Sequence, residues 1–132
     1  MPATPSPEAT PTAPFDFDFR RREPDAPLRR AIESVWYARG TVPYARERIA
    51  PTGSTVAIVV LGDPILQIGD DGRGERHVAS RTSLIGPHDG PMVNEPTGET
   101  HAVGIVTTPV GAAAALGVDP GAVRGQVVDL EA

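Results

Sequence analysis

Three histidines, His77, His88 and His101, are the side chains of this sequence with the widest range of chemistry. A metal-dependent oxygenase or isomerase site needs two or three imidazoles and a carboxylate around one ion, and a strand often supplies a His-x-His pair. Here the histidines are isolated from one another along the chain. We therefore expect no metal and no cofactor, although three distant histidines can still converge in space and would then define a small metal enzyme.

Other catalytic and ion-binding patterns are incomplete. No Gly-x-Ser-x-Gly segment marks a nucleophile elbow, and Gly72-Arg73-Gly74 lacks the spacing and the following helix of a phosphate loop. The pair Asp70-Asp71 lacks the later ligands, ending in a Glu, that a calcium-binding EF-hand loop requires. The sequence therefore predicts no catalytic residues and a protein that is not an enzyme.

Three residues are candidates for a ligand-binding pocket: Trp36, Arg48 and His101. Trp36 can line a pocket or fill the core, as a single Trp in a small domain often does. Arg48 can hold a carboxylate with its planar fork, or form an ion pair with Glu47 or another surface acid. His101 is predicted on the inward face of its strand, with simple exposure at the strand start as the alternative.

Composition excludes several classes of protein. The chain has 132 residues, enough for one domain. Its formal net charge of −5 disfavours a nucleic-acid surface, which needs clustered cations. It has no Cys, which excludes disulfides and fits the cytoplasm. No apolar run approaches the ~20 residues that span a membrane. We expect neither nucleic acid nor membrane among its partners.

The stretch from Thr55 to Leu61 is the centre of the predicted domain. It is almost continuously apolar, rich in β-branched residues, and bounded by turn signals. Because side chains of a strand alternate between faces, each face of this strand is apolar. The pattern predicts a central strand buried on both sides, with the following strand, from Ile65, pairing back on it as a meander. The two faces are Val56, Ile58 and Val60, and Ala57, Val59 and Leu61.

The N-terminal region divides in two. Residues 1–14 are Pro, Thr, Ala and Ser with one Glu, which predicts a disordered leader, and residues 15–132 form the domain. Phe15, Phe17 and Phe19 alternate with Asp, followed by three arginines. The alternation predicts a strand that lays its rings on its own domain; a strand added to a partner's sheet and an anion-binding arginine patch are the alternatives.

Helices are predicted in two places. After Pro27, the spacing of Leu28, Ile32 and Val35 is helical. Near the C-terminus, Thr108-Pro109 predicts a cap for a helix ending at Leu116, and Asp119-Pro120 a cap for a second short one. With about eight short strands between turns, the chain is predicted to be mostly β: a barrel or double-sheet jelly roll with short C-terminal helices.

A series of segments in this order and spacing resembles the N-terminal sensor domain of AraC-type bacterial transcription regulators. The resemblance covers Pro27 to the C-terminus. The segments are Val35-Trp36-Tyr37-Ala38-Arg39-Gly40, Arg48-Ile49-Ala50-Pro51-Thr52-Gly53, Leu84-Ile85-Gly86-Pro87, Val103-Gly104-Ile105-Val106-Thr107-Thr108-Pro109-Val110-Gly111-Ala112-Ala113 and Leu116-Gly117-Val118.

The resemblance implies a cupin-like (jelly-roll) barrel whose cavity holds a small-molecule effector, and a possible homodimer through the short helices. The sequence departs from the pattern of that family in two respects. An Arg-Phe-x-Pro-Gly-Gly-like segment of that family is replaced here by Val106–Gly111, and the chain stops at Ala132 without a helix-turn-helix. We therefore expect effector sensing or partner interaction without direct DNA binding. A metal-dependent enzyme and a dimerisation module that binds no ligand remain as alternatives.

Overall fold

Short strands separated by Pro and Gly turns assemble into two facing sheets. A computed structural model describes residues 17–42, 44–51, 53–79 and 81–130, and these form ten strands. The strands are β1 (Phe17–Arg22), β2 (Ile32–Gly40), β3 (Glu47–Ile49), β4 (Val56–Val60), β5 (Ile65–Ile68), β6 (Arg76–Ala79), β7 (Thr82–Ile85), β8 (Met92–Pro96), β9 (Thr100–Thr107) and β10 (Val127–Asp129).

The strand order is that of a double-sheet jelly roll. One sheet has the order β1-β2-β9-β4-β7-β10, and the other β3-β8-β5-β6; all described pairings are antiparallel. The mostly β prediction is confirmed. Of the two predicted arrangements, a barrel or a double-sheet jelly roll, the barrel is wrong, because no described strand hydrogen-bonds in both sheets. Connections such as Gly62-Asp63-Pro64 carry the chain from one sheet to the other, and proline cannot continue a ladder of hydrogen bonds.

Strand β4 is central in its sheet, between β9 and β7. Its inward side chains, Val56, Ile58 and Val60, are all buried. The prediction that both faces are buried is wrong in part, because Val59 is 37% exposed and Leu61 just after the strand is 58% exposed. The predicted meander is also wrong: β4 pairs with β9 and β7, whereas β5 lies in the other sheet. Long-range partners, which the local sequence does not specify, decided both points.

The core lies between the sheets and is centred on Trp36. Its ring stacks on Phe19, with centroids 6.1 Å apart, and rests against the backbone of Gly104, its register partner on β9. A Cβ at residue 104 would stand 2.0 Å from Trp36 Cε2, so only glycine fits under the ring. Phe17 and Phe19 pack against the core from β1, which confirms the predicted N-terminal strand. Phe15 and residues 1–14 lie outside the described residues.

The helical predictions succeed only in part. Around Pro27 the chain makes one 3-10 turn, Ala26–Leu28, and it then enters β2, where Ile32 and Val35 pair in the sheet. Near the C-terminus, the residues up to 130 that the structure describes form only single turns, Ala112–Leu116 and Pro120–Val123. Asp119 caps the second as predicted, but the Thr108 hydroxyl donates to the Arg30 carbonyl instead of capping the first. No helix in the described part of the chain is long and apolar enough to cross a membrane.

Candidate functional site

A small cavity of about 50 Å³ lies between the two sheets. Its wall is mainly apolar, with aliphatic and aromatic side chains from both inner faces and from the segment after β3. Trp36 therefore both belongs to the core and lines this cavity. The lining residues are Trp36, Ile49, Ala50, Pro51, Ser54, Val56, Ile58, Gln67, Ile85, Gly86, His88, Met92 and Asn94.

A row of four polar side chains crosses the inner face of the smaller sheet beneath this cavity. Glu47 on β3 is the register partner of Asn94 on β8, Asn94 of Gln67 on β5, and Gln67 of His77 on β6. Because register partners in a sheet point to the same face, these four residues form one continuous line, here called the polar row. Glu47 and Gln67 are 3% and 1% exposed.

Several buried polar atoms in and beside the middle of the polar row have no hydrogen-bond partner among the described residues. Within the described part of the protein, both amide atoms of Gln67, Asn94 Oδ1 and the indole Nε1 of Trp36 are buried without a partner. Leaving such a group unpaired costs about 1–3 kcal/mol. Polar groups retained at this cost in an otherwise apolar cavity are typical of a binding site, where a few groups fix the orientation of the ligand.

A wider polar cleft of about 500 Å³ adjoins the cavity. Gln67 and His88 line both spaces, and Asp70, Glu75 and Arg76 belong to the cleft. His88 Nδ1 donates a hydrogen bond of 2.7 Å to the Gly86 carbonyl. Since a carbonyl only accepts, this bond fixes the proton on Nδ1. His88 thus stands at the junction of an apolar chamber and a polar one.

The first member of the polar row has unusual proton affinity. Tyr44 donates a hydrogen bond of 3.0 Å to Glu47 Oε2. Burial raises the pKa of Glu47 from 4.5 to about 7, although the hydrogen bond from Tyr44 acts in the opposite direction. Burial, and then the neighbouring Glu47, likewise raise the pKa of Tyr44. Glu47 therefore changes charge near neutral pH inside the protein.

Two of the three predicted ligand-binding residues lie away from the cavity. Arg48 is on the outer face of β3, where its guanidinium forms two hydrogen bonds, of 2.8 and 2.9 Å, with Asp71. It is thus in an ion pair with a surface acid. His101 lies on the outer face of β9, where its ring contacts Tyr37 edge-on at 5.6 Å. Its predicted inward orientation is wrong, because Ala102 and Gly104 take the inward positions.

The three histidines lie in different parts of the fold. His77 makes a weak contact of 3.4 Å with Ser83 across the sheets, His88 lines the cavity and His101 faces outward. Among the described residues, no group of three or more His, Asp or Glu side chains is arranged to hold a metal ion.

Sequence reasoning did not identify Gln67, Asn94 or Glu47 as site residues. One signal was available for Gln67: it is the single polar residue in the run Ile65-Leu66-Gln67-Ile68 and shares a face with Ile65. Asn94 is followed by another polar residue, Glu95, and Glu47 lies between two arginines, so neither stands out in the sequence. The register of β3, β8 and β5 places them in one row.

The fold and the cavity together define a jelly-roll domain with an internal, mainly apolar cavity. The chain belongs to the family described as a domain of unknown function, DUF6597, whose match spans residues 20–129. This range includes every strand but the first part of β1. The sequence matches none of the curated proteins.

Three solved structures show distant similarity. An RmlC-like cupin protein from Desulfovibrio desulfuricans matches with a TM-score of 0.47 and 13% identity, covering 73% of this chain and 89% of that chain. Vicilin from Corylus avellana (hazelnut) gives 0.48 and 12%, covering 87% and 44%. Vicilin from Solanum melongena, described with different anionic ligands in structurally similar pockets, gives 0.40 and 14%, covering 76% and 30%. At these scores the likeness assigns no function.

Proposed function

We propose that this domain binds a small, uncharged molecule in the cavity between its sheets. The observation that carries the proposal is a mainly apolar chamber in which buried polar groups of Trp36, Gln67 and Asn94 have no partner among the described residues. Such a lining resembles that of ligand pockets, in which apolar walls supply affinity and a few polar groups supply orientation.

The charges around the cavity favour an uncharged ligand. Arg48, the cation considered for binding a carboxylate, is paired with Asp71 on the outer face. Within the described lining, His88 is the one ionisable residue, and its Nδ1 is engaged with Gly86. An ionic ligand would enter a low-dielectric site in which His88 is the single described group able to offset a charge, and only a negative one, which makes its entry unfavourable.

We propose further that the protein is a cupin-like sensor domain, and that it has a regulatory, non-catalytic role in the bacterial cytoplasm. Two features support that placement: the jelly-roll order of β2 to β9, and the resemblance of segments such as Val35–Gly40 to the sensor domain of AraC-type regulators. In this proposal, occupancy of the cavity is signalled to a partner protein or a second subunit.

Filling the cavity tests the proposal. The variant Ile49→Phe adds volume to the lining from a half-buried position on β3. A hit from a screen of uncharged fragments by ligand-observed NMR is expected to bind the variant at least about tenfold more weakly, which is ~1.4 kcal/mol. Val78→Phe, at a 50% exposed position on β6, is the matched control and should bind as the original protein does. If the fragment hits do not compete with one another for a common site, or if Ile49→Phe and Val78→Phe bind the fragment equally well, the cavity is not the binding site.

We also propose that the domain forms a homodimer through the segment Val110–Ala115. Val110 is 76% exposed, and Ala113, Ala114 and Ala115 are exposed, whereas Ala112 is buried. An apolar surface of this kind often marks an interface, and two-fold dimers are the commonest assembly. Sedimentation velocity at increasing concentration should show a dimer that Ala114→Glu abolishes and Ala122→Glu, on another exposed turn, does not. A monomer at every concentration would contradict the proposal.

A further inference from the structure

The unpartnered polar atoms at the cavity have a defined hydrogen-bonding pattern. Trp36 Nε1–H and the Gln67 amide nitrogen are donors, and Gln67 Oε1 and Asn94 Oδ1 are acceptors. Gln67 and Asn94 are register partners on adjacent strands. The three residues that carry these four atoms, Trp36, Gln67 and Asn94, all line the same chamber. The neutral groups around the chamber thus comprise two donors and two acceptors that have no partner among the described residues.

A carboxamide is the complement of this pattern. Its carbonyl oxygen accepts two hydrogen bonds and its nitrogen donates one or two, all without a net charge. A carboxylate has no hydrogen to offer Gln67 Oε1 or Asn94 Oδ1, and an ammonium group cannot accept from Trp36 or from the Gln67 nitrogen. A ketone or an ether satisfies the donors alone.

We infer that the ligand carries a neutral carboxamide, either a primary amide or a lactam, and binds it against Gln67. The inference rests on the proposed function and names the class of ligand. Each of the four atoms is buried, so the amides of Gln67 and Asn94 turn about their soft terminal torsions to meet the entering group. At about 50 Å³ the chamber takes the carboxamide head, and the rest of the molecule lies in the polar cleft, which Gln67 and His88 also line.

The chain offers an unambiguous reporter, because Trp36 is its only Trp. Its indole N–H gives one resonance in a proton–nitrogen NMR spectrum. The probes are 2-pyrrolidinone, a lactam, and cyclopentanone, which has the same ring size and a carbonyl but no N–H. We expect 2-pyrrolidinone to shift the Trp36 indole and Gln67 amide signals and to bind at least about tenfold more tightly than cyclopentanone, since unpaired site groups penalise the analogue.

Variants at Gln67 separate this inference from the proposed function. Gln67→Met keeps the length of the side chain, removes the acceptor Oε1 and should lose most of the preference for the lactam. If it fails to fold, Asn94→Leu, which removes the other acceptor, Asn94 Oδ1, should also reduce that preference. Equal binding of the two probes by the original protein overturns the carboxamide inference and leaves the cavity as a binding site. If neither probe shifts the Trp36 indole signal, the proposed cavity site fails as well.

Discussion

Replacing Glu47 by Gln is expected to remove most of the pH dependence of stability below neutral pH. Burial raises the pKa of Glu47 from 4.5 to about 7. Between these values the folded protein holds a proton that the unfolded chain has released, so stability falls as pH rises through this range. The expected loss is about 3 kcal/mol of unfolding free energy, and it is complete above the folded-state pKa.

The measurement is urea unfolding of both proteins from pH 4.5 to 8. Glu47→Gln keeps an oxygen that accepts from the Tyr44 hydroxyl but has no proton to lose, so the variant should be nearly as stable at pH 8 as at pH 4.5. Glu33→Gln, an exposed position on β2, removes the same charge and should retain the slope of the original protein. If Glu47→Gln also retains that slope, another group is responsible.

Replacing Gly104 by Ala is expected to destabilise the protein by about 3 kcal/mol, the upper part of the usual range for overpacking a core. The new Cβ would lie 2.0 Å from Trp36 Cε2 and 2.2 Å from Cζ2. Phe19 stacks on the Trp36 ring, so the ring has to leave its place and disturb the wall of the cavity.

Thermal or urea unfolding measures the loss of stability of Gly104→Ala, and the fluorescence of the single Trp reports the displacement of its ring. Gly90→Ala is the matched control, because a Cβ there would meet nothing within 4 Å, and its stability should change by less than about 1 kcal/mol. An unchanged midpoint and spectrum for Gly104→Ala would show that the core accommodates the methyl group without moving Trp36.

The local sequence pattern was sufficient to predict those strands and turns that depend on neighbouring residues. The alternation of Phe and Asp predicted β1, and the apolar run from Thr55 predicted β4, because a strand with one face toward the core needs apolar residues at every second position. The turn at Gly117, with φ of +66°, follows the same logic, since glycine adopts a left-handed conformation at little cost. These features depend on residues close together in the chain.

The local sequence pattern gave wrong predictions where the pairing of distant strands determines secondary structure and exposure. Leu28, Ile32 and Val35 have helical spacing, yet Ile32 and Val35 belong to β2, where hydrogen bonds to β9 outweigh a weak helical preference. Similarly, Val59 and Leu61 look like core residues because they are apolar. They are exposed because little covers that part of the outer face of β4.

Residue patterns alone were enough to predict a mostly β domain and its central strand, and they gave the core as one of two places for Trp36. The residues of the site could not be predicted in this way. Glu47, Asn94 and Gln67 are far apart in the chain and become one polar row through the register of β3, β8 and β5. The same packing turned Arg48 and His101 outward. A register shift of one residue would reverse every side chain of a strand, so which polar groups face the cavity depends on long-range pairing that no local pattern encodes.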